Sequence, residues 1–375
     1  MRSSACRQIE SGAQTGEAMN NIPINKGQFT LESSEREALF EKNRGFGDEA
    51  TYAENRRQWT EFPRQQHLAD YPLHVDIELA SVCNLKCPMC YTITDEFKQK
   101  VNAKLMDFNL YKKIVDECAK GNVYSIRLSL RGESFLHKHI VDAVRYAKEK
   151  GIKEVSTLTN GLRLDEKMFQ EIMEAGIDWI TISFDGLRET YERIRHPAKY
   201  ERALEKLKNY MEIKRKAGRV KPVIKVQSIL PAIIDNLEEF YATMSKVSDM
   251  VSANPLIDYL ANDSGDKILY EENFVCPMQY QRLVIGADGI VMMCSNDEEN
   301  SQPVGNANSQ TVHEIWHGPE MTRVREIQKR HAGVKEIGCC KKCYLPRKTE
   351  PQILQIEGRQ LTAENYVNRS QVIGT

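Results

Sequence analysis

The 375-residue chain has no run approaching ~18 consecutive apolar residues, which excludes a membrane-spanning helix on hydropathy grounds. Its opening, MRSSACRQIESGAQTGE, holds no apolar stretch of the kind that directs secretion. A surplus of charge is missing as well. Lys+Arg total 52 and Asp+Glu total 53, a formal charge of −1, so neither nucleic acid nor a membrane surface is expected as a partner. There is no low-complexity tract. These absences point to the cytoplasm, where disulfides are rare. Cysteine, by contrast, is plentiful: ten are present and need another explanation. Seven fall into two spaced groups, 83/87/90 and 276/294/340/343, for which metal or iron–sulfur ligation is the economical reading.

Apolar residues make up 41% of the chain, enough for a sizeable core. Residues 1–25 read as a loose polar tail. Ser34-Glu35-Arg36-Glu37 fits a capping box ahead of a short helix ending near Gly45, and a second helical stretch covers about 49–59. EFPRQQHLADYP then reads as a link, punctuated by Pro63 and Pro72. From about residue 74, β-rich runs alternate with amphipathic stretches. The strands are HVDIELA, SIRLSL, VSTLTN, WITISFD, VIKVQSI and MVSANPLI, with helices between them. Six β/α repeats predict a parallel sheet covered by helices, with reactive groups at the C-terminal ends of the strands. Pattern alone does not decide whether the barrel closes. Beyond about 262 the pattern changes: RLVIGADGIVMMC reads as a hairpin turning at Ala287-Asp288-Gly289, HEIWHGPEMTRVREIQKRHAG as a short helical region, and GCCKKCYLP follows.

Cys83, Cys87 and Cys90 form a CxxxCxxC run in the loop after the first strand of the repeat. Three thiolates ligate three irons of a cubane, and four is the usual number. With no fourth cysteine nearby, one iron keeps the open position that chemistry at a metal requires. The plainer readings are a structural zinc loop or cysteines packed as small hydrophobes. Zinc loops bring CxxC pairs and four ligands, which this run lacks.

The run Cys83-Asn84-Leu85-Lys86-Cys87-Pro88-Met89-Cys90 resembles the signature of the radical S-adenosylmethionine (SAM) superfamily. The resemblance implies a SAM-binding [4Fe–4S] cluster whose open iron takes the amino and carboxylate groups of SAM, with Met89 near the adenine. Arg131-Gly132-Glu133-Ser134, after the second strand, resembles the family's Gly-Gly-Glu loop, which implies that Glu133 accepts from the SAM amino group; Arg131 stands where glycine is common. Thr159-Asn160-Gly161 resembles the TNG motif. Ser183-Phe184-Asp185-Gly186 resembles SxDG, with Ser183 toward the ribose and Asp185 beside it. Arg195, in YERIR, resembles the arginine that meets the SAM carboxylate. Each match alone is weak, since a strand-end Asn-Gly or Asp-Gly is usually a turn. Together they mark successive strand ends on one side of the fold.

Cys276 and Cys294 flank the predicted hairpin, and Cys340 and Cys343 form a CxxC pair. Four thiolates suit tetrahedral zinc or a [4Fe–4S] cluster. Cysteine pairs on a hairpin and a loop, taken alone, suit a zinc ribbon. Beside a radical SAM core the arrangement resembles the SPASM and twitch domains that carry auxiliary clusters. No cysteine follows Cys343, so the resemblance implies one auxiliary [4Fe–4S] cluster of the shorter twitch type, fully ligated by protein. Cys339 is spare, and Cys118 lies on a core helix.

The expected fold is therefore α/β. It comprises a partial (β/α)6 TIM-type barrel over 73–265, a small twitch/SPASM-like hairpin-plus-helix domain over 266–350, a helical N-terminal extension over 1–72 and a tail over 351–375. The resemblance implies a radical SAM oxidoreductase that takes hydrogen from a small polar substrate (a sugar, aminosugar or cyclitol), with the auxiliary cluster accepting an electron and a flavodoxin- or ferredoxin-type reductant. Radical epimerisation, peptide modification and a non-enzymatic zinc module are the rival readings. No general base is identifiable from the sequence.

Overall fold

The structure, a computed structural model, describes residues 22–24, 26–256, 268–367 and 373. The polar tail expected over 1–25 lies outside the described residues except at 22–24. A two-residue strand β1 (Phe29–Thr30) is followed by helices α1 (Ser34–Arg44) and α2 (Glu49–Gln65). The cap of α1 sits one residue earlier than the capping box suggests: the Ser33 side chain accepts from the Arg36 backbone N–H. Helix α2 runs six residues past its expected end, through Pro63. Proline has no N–H to offer the Trp59 carbonyl four residues back. The Gln281 side-chain amide donates to that carbonyl instead, at 2.7 Å, so a distant residue makes up the bond the helix lacks.

Six parallel strands follow, β2 (His74–Ile77), β3 (Ser125–Arg127), β4 (Glu154–Thr159), β5 (Trp179–Ser183), β6 (Val223–Ile229) and β7 (Met250–Asn254). Neighbours pair in chain order, for example Val75 with Ile126 and Ile126 with Val155. Helices cover the sheet: α3 (Asp95–Lys100), α4 (Phe108–Lys120), α5 (Ile140–Glu149), α6 (Glu166–Glu174), α7 (Arg188–Ile194), α8 (Tyr200–Lys216) and α9 (Leu237–Met244). The strands are buried on both faces, which is why they read as Val- and Ile-rich runs rather than alternating ones. Asp107 and Asp165 cap α4 and α6 by accepting from first-turn N–H groups.

The barrel does not close. The sheet has ten strands in the order β1-β7-β6-β5-β4-β3-β2-β8-β9-β10, so β1 and β10 are its edges. Strand β8 (Arg282–Ile285), after the short helix α10 (Met278–Gln281), pairs in parallel with β2. The hairpin of β8 and β9 (Ile290–Met292) thus continues the core sheet. It turns at Gly286–Gly289, where Gly289 has φ +87°, a left-handed conformation that favours glycine. Strand β10 (Pro303–Asn306) and helices α11 (Val312–Trp316), α12 (Pro319–Gln328) and α13 (Gly338–Lys342) complete this region. One continuous apolar cluster joins barrel residues such as Val75 to Trp316 and Tyr366. The segment expected as a tail from 351 instead contains most of a second hairpin, β11 (Thr349–Ile356) with β12 (Arg359–Tyr366). Its inward residues Leu354, Ile356, Ala363 and Tyr366 are buried.

Candidate functional site

Strand β2 ends at Ile77, and the loop beyond it carries Cys83, Cys87 and Cys90. Polar groups surround its sulfurs. The Leu85 N–H lies 3.5 Å from Cys83 Sγ, the Asn160 amide 3.9 Å from the same sulfur, and Thr92 Oγ1 3.0 Å from Cys90 Sγ. Burial pushes all three thiols up, Cys90 to about 11. Cys118 is fully buried on α4, away from the loop.

The Arg131–Glu133 loop packs directly on this one. The Glu133 N–H donates to the Val82 carbonyl at 2.9 Å. A Cβ on Gly132 would meet the Ala80 and Val82 carbonyl oxygens at 2.3 and 2.4 Å. Only glycine lets the two loops approach so closely. The Glu133 carboxylate is 1% exposed and accepts from Thr159 Oγ1 (2.7 Å), the Phe135 N–H (3.1 Å) and the Asn160 N–H (2.8 Å). Burial pushes its pKa up. Asn160 turns its amide to Asn84 Oδ1 at 2.9 Å. One hydrogen-bonded chain thus joins Glu133, Asn160, Asn84 and Cys83.

Asp185 and Arg195 form a second buried unit. Arg195 pairs through Nε and Nη2 with Asp185 Oδ2, and Asp185 Oδ1 accepts from the Ile229 N–H at 3.0 Å. Burial lowers the Arg195 pKa and the nearby charges of Asp185 and Cys87 outweigh it, so the guanidinium stays charged. Ser183 ends β5 and is buried, and Met89 is half-buried in the cysteine loop. Glu133, Asn160, Ser183 and Asp185 follow or end strands β3, β4 and β5, Met89 lies in the cysteine loop, and Arg195 caps the C-terminus of α7, where it reaches Asp185.

Cys276, Cys294, Cys340 and Cys343 converge on one cavity, also lined by Cys339, Met278, Met293 and Asn296. Asn296 donates to Cys343 Sγ at 3.2 Å and Gln328 to Cys340 Sγ at 3.7 Å. The all-sulfur donor set suits an iron–sulfur cubane or one tetrahedral ion.

Sequence reasoning missed what ties the two cysteine sets together. Glu299 accepts from Lys100 of α3 at 2.7 Å and from Lys342 of α13 at 2.8 Å. Arg131 joins Glu78 to the Glu298 carbonyl. No local pattern announces such pairs, because their members lie far apart in the chain.

Family comparison agrees with this geometry. The radical SAM superfamily model matches residues 77–246, and the iron–sulfur cluster-binding SPASM model matches 276–344. The chain carries a radical SAM domain followed by a SPASM domain. The two domains imply a SAM-binding [4Fe–4S] cluster and auxiliary iron–sulfur ligation. Among curated proteins, this radical SAM chain is 33% identical over 162 residues to Fe-coproporphyrin III synthase of Methanosarcina barkeri, covering 42% of this chain and 39% of that protein. It is 30% identical over 157 residues to the tungsten-containing aldehyde ferredoxin oxidoreductase cofactor-modifying protein of Pyrococcus furiosus, covering 41% and 42%. A probable GTP 3′,8-cyclase of Methanococcus maripaludis is 33% identical over 111 residues, covering 30% and 36%. The chain thus spans about two fifths of the length of these relatives. Among solved structures, BtrN in complex with AdoMet and 2-DOIA shares the fold (TM-score 0.50, 20% identity, 72% of this chain and 92% of that one). Streptococcus suis SuiB bound to S-adenosylmethionine does so at TM-score 0.52, 13% identity and 83% of each chain. No described helix is long and apolar enough to cross a membrane.

Proposed function

We propose that this radical SAM protein oxidises a hydroxyl-bearing carbon of a small polar substrate, such as a sugar, aminosugar or cyclitol. The observation that carries the reading is the convergence of Cys276, Cys294, Cys340 and Cys343 on one cavity. Four protein sulfurs there leave no iron for substrate, which suits an electron acceptor. When bound, the groups held by the two cysteine sets supply a SAM-derived radical that takes a hydrogen atom and a site that takes an electron. The substrate carbon then loses a hydrogen atom and one electron, its hydroxyl loses a proton, and a carbonyl remains.

The chain's own residues have definable parts. Cys83, Cys87 and Cys90 hold the first cluster. Glu133 keeps acceptor capacity for the SAM ammonium, and Arg195 offers its positive charge to the SAM carboxylate. Asp185 holds that guanidinium in place. Asn160, Ser183 and Met89 line the approach for the nucleoside. A cavity of about 150 Å³ lined by Tyr91, Asn296, Asp297, Glu298, Cys339 and Lys342 lies between the two cysteine loops. It is smaller than the ~300–1,000 Å³ of most drug-sized pockets, which supports a small substrate, and Asn296, Asp297, Glu298 and Lys342 bring polar groups to a lining that is otherwise largely apolar. The structural likeness to BtrN, described as bound to AdoMet and 2-DOIA, is in keeping with this. A flavodoxin- or ferredoxin-type protein is the fitting electron source.

Cys339 supports a second reading. Its thiol lines both cavities, 3.4 Å from Met293 Sδ. A thiol there suits hydrogen return to the substrate radical, which would make the outcome epimerisation.

The test uses cluster-loaded, reduced protein under anaerobic conditions with SAM and carbon-deuterated cyclitols and aminosugars. Oxidation requires one deuterium in 5′-deoxyadenosine and one carbonyl product for each one formed. Retained hydroxyl with solvent hydrogen on the carbon would establish epimerisation. Deuterium transfer from peptide substrates and from none of the alcohols would overturn both readings.

A further inference from the structure

Outside the cysteine sites, one group of side chains has its donor atoms gathered for a cation. His313, His317 and Asp70 each offer one ligand atom, and these atoms all lie within 4.8 Å of one another. His313-Glu314-Ile315-Trp316-His317 is an H-E-x-x-H run on α11 and its C-cap. Four-residue spacing on a helix puts both imidazoles on one face, as zinc binding by this pattern requires. Their ring centroids are 4.5 Å apart. Asp70 comes from the segment between α2 and β2, 243 positions before His313, and meets His313 Nε2 through Oδ1 at 3.1 Å. His317 Nε2 lies 2.9 Å from the Asp70 carbonyl oxygen.

In H-E-x-x-H hydrolases the glutamate acts as a general base at the metal. Here Glu314 is spent elsewhere: its Oε2 accepts from the Thr311 N–H at 2.8 Å and from Thr311 Oγ1 at 2.9 Å, closing a capping box. The carboxylate thus faces the helix start, and α11 is only five residues long. The chemistry left to the group is ligation. The same face already holds the two segments together through Trp316 Nε1, which donates to the Ala69 carbonyl at 2.9 Å.

We propose that His313, His317 and Asp70 bind a zinc-class divalent cation that fastens the segment before the barrel to the auxiliary region. Each neutral imidazole binds through Nε2 with its single proton carried on Nδ1, and water completes the open positions on this exposed face. Holding two segments so distant in sequence removes freedom mainly from the unfolded chain.

The experiment uses tag-free, cluster-loaded protein given ZnCl2, desalted, and measured for zinc and iron together. Wild type should retain one zinc more per chain than Asp70→Asn or His317→Ala, with iron unchanged in all three. X-ray absorption of that zinc should show nitrogen and oxygen at about 2.0–2.2 Å, and the added zinc should raise the Tm of wild type alone. Equal zinc in wild type and variants would overturn the proposal, as would a sulfur shell near 2.3 Å, since the zinc would then sit at cysteines. Asp70 is exposed, so Asp70→Asn keeps the test meaningful should a histidine variant fold poorly.

Discussion

Arg131 and Glu78 form a two-pronged ion pair that is sealed from solvent. Arg131 Nε lies 2.8 Å from Glu78 Oε1 and Nη2 2.6 Å from Oε2, with side chains 1% and 0% exposed. Glu78 also accepts from the Ala287 N–H at 3.0 Å, and Arg131 Nη1 donates to the Glu298 carbonyl and Asn300 Oδ1, both at 3.0 Å. Arg131 occupies a place where glycine is common in the family motif. The departure has a structural use: the arginine ties the loop after β3 to the loop after the auxiliary hairpin. Arg131→Met should strand the Glu78 carboxylate and cost about 3–5 kcal/mol of stability. Denaturant unfolding of the cluster-loaded protein measures it. The double variant with Glu78→Gln should be less damaged than Arg131→Met, because no buried charge is left alone.

Gly132→Ala tests the contact between the two loops. Two carbonyl oxygens stand within 2.4 Å of the added carbon, so the cysteine loop has to move. Overpacking of this kind costs about 1–3 kcal/mol. The larger effect expected is on the cluster. Iron should fall from about eight per chain toward about four, with SAM cleavage lost and overall secondary structure kept. Full iron content with normal SAM cleavage would show that the close approach is dispensable.

Cys294→Ala separates the two cysteine sets. SAM cleavage without substrate should survive, because Cys83, Cys87 and Cys90 are untouched, while substrate oxidation should fall. Cys83→Ala should abolish both. Unimpaired oxidation by the Cys294 variant would remove the auxiliary site from the electron path.

Lys225, on β6, predicts a pH dependence. Burial lowers its pKa from 10.5 to about 8, and Arg44 adds to the effect. Below about 8 both the folded and the unfolded chain hold the proton, and the folded state carries the full cost of a buried ammonium. Between about 8 and 10.5 the unfolded chain keeps a proton that the folded chain has released, so this group makes stability rise with pH. The gap corresponds to about 3 kcal/mol. Lys225→Met should stabilise the protein at pH 7 and flatten that rise, as read from Tm across the range. A variant less stable than wild type at pH 7 would mean that the ammonium is better compensated than its surroundings suggest.

Much of this protein is written in its linear order. The strand runs and Gly132 specify themselves locally, because β-branched stretches bury on both faces and a carbonyl contact admits no Cβ. The spacing of Cys83, Cys87 and Cys90 likewise fixes how many sulfurs one loop can present. Some elements ran past their local signals: α2 continues through Pro63 because Gln281 replaces the missing donor, and the hairpin from Thr349 to Tyr366 forms because its inward side chains find a core to enter. Whether the barrel closed was for the tertiary structure to decide, through the pairing of β8 with β2. The meeting of Arg131 with Glu78, of Lys342 with Glu299, and of Asp70 with two histidines was decided there too. An ion pair or a ligand set between residues tens or hundreds of positions apart leaves no periodicity in the chain; it exists only once packing has closed the distance.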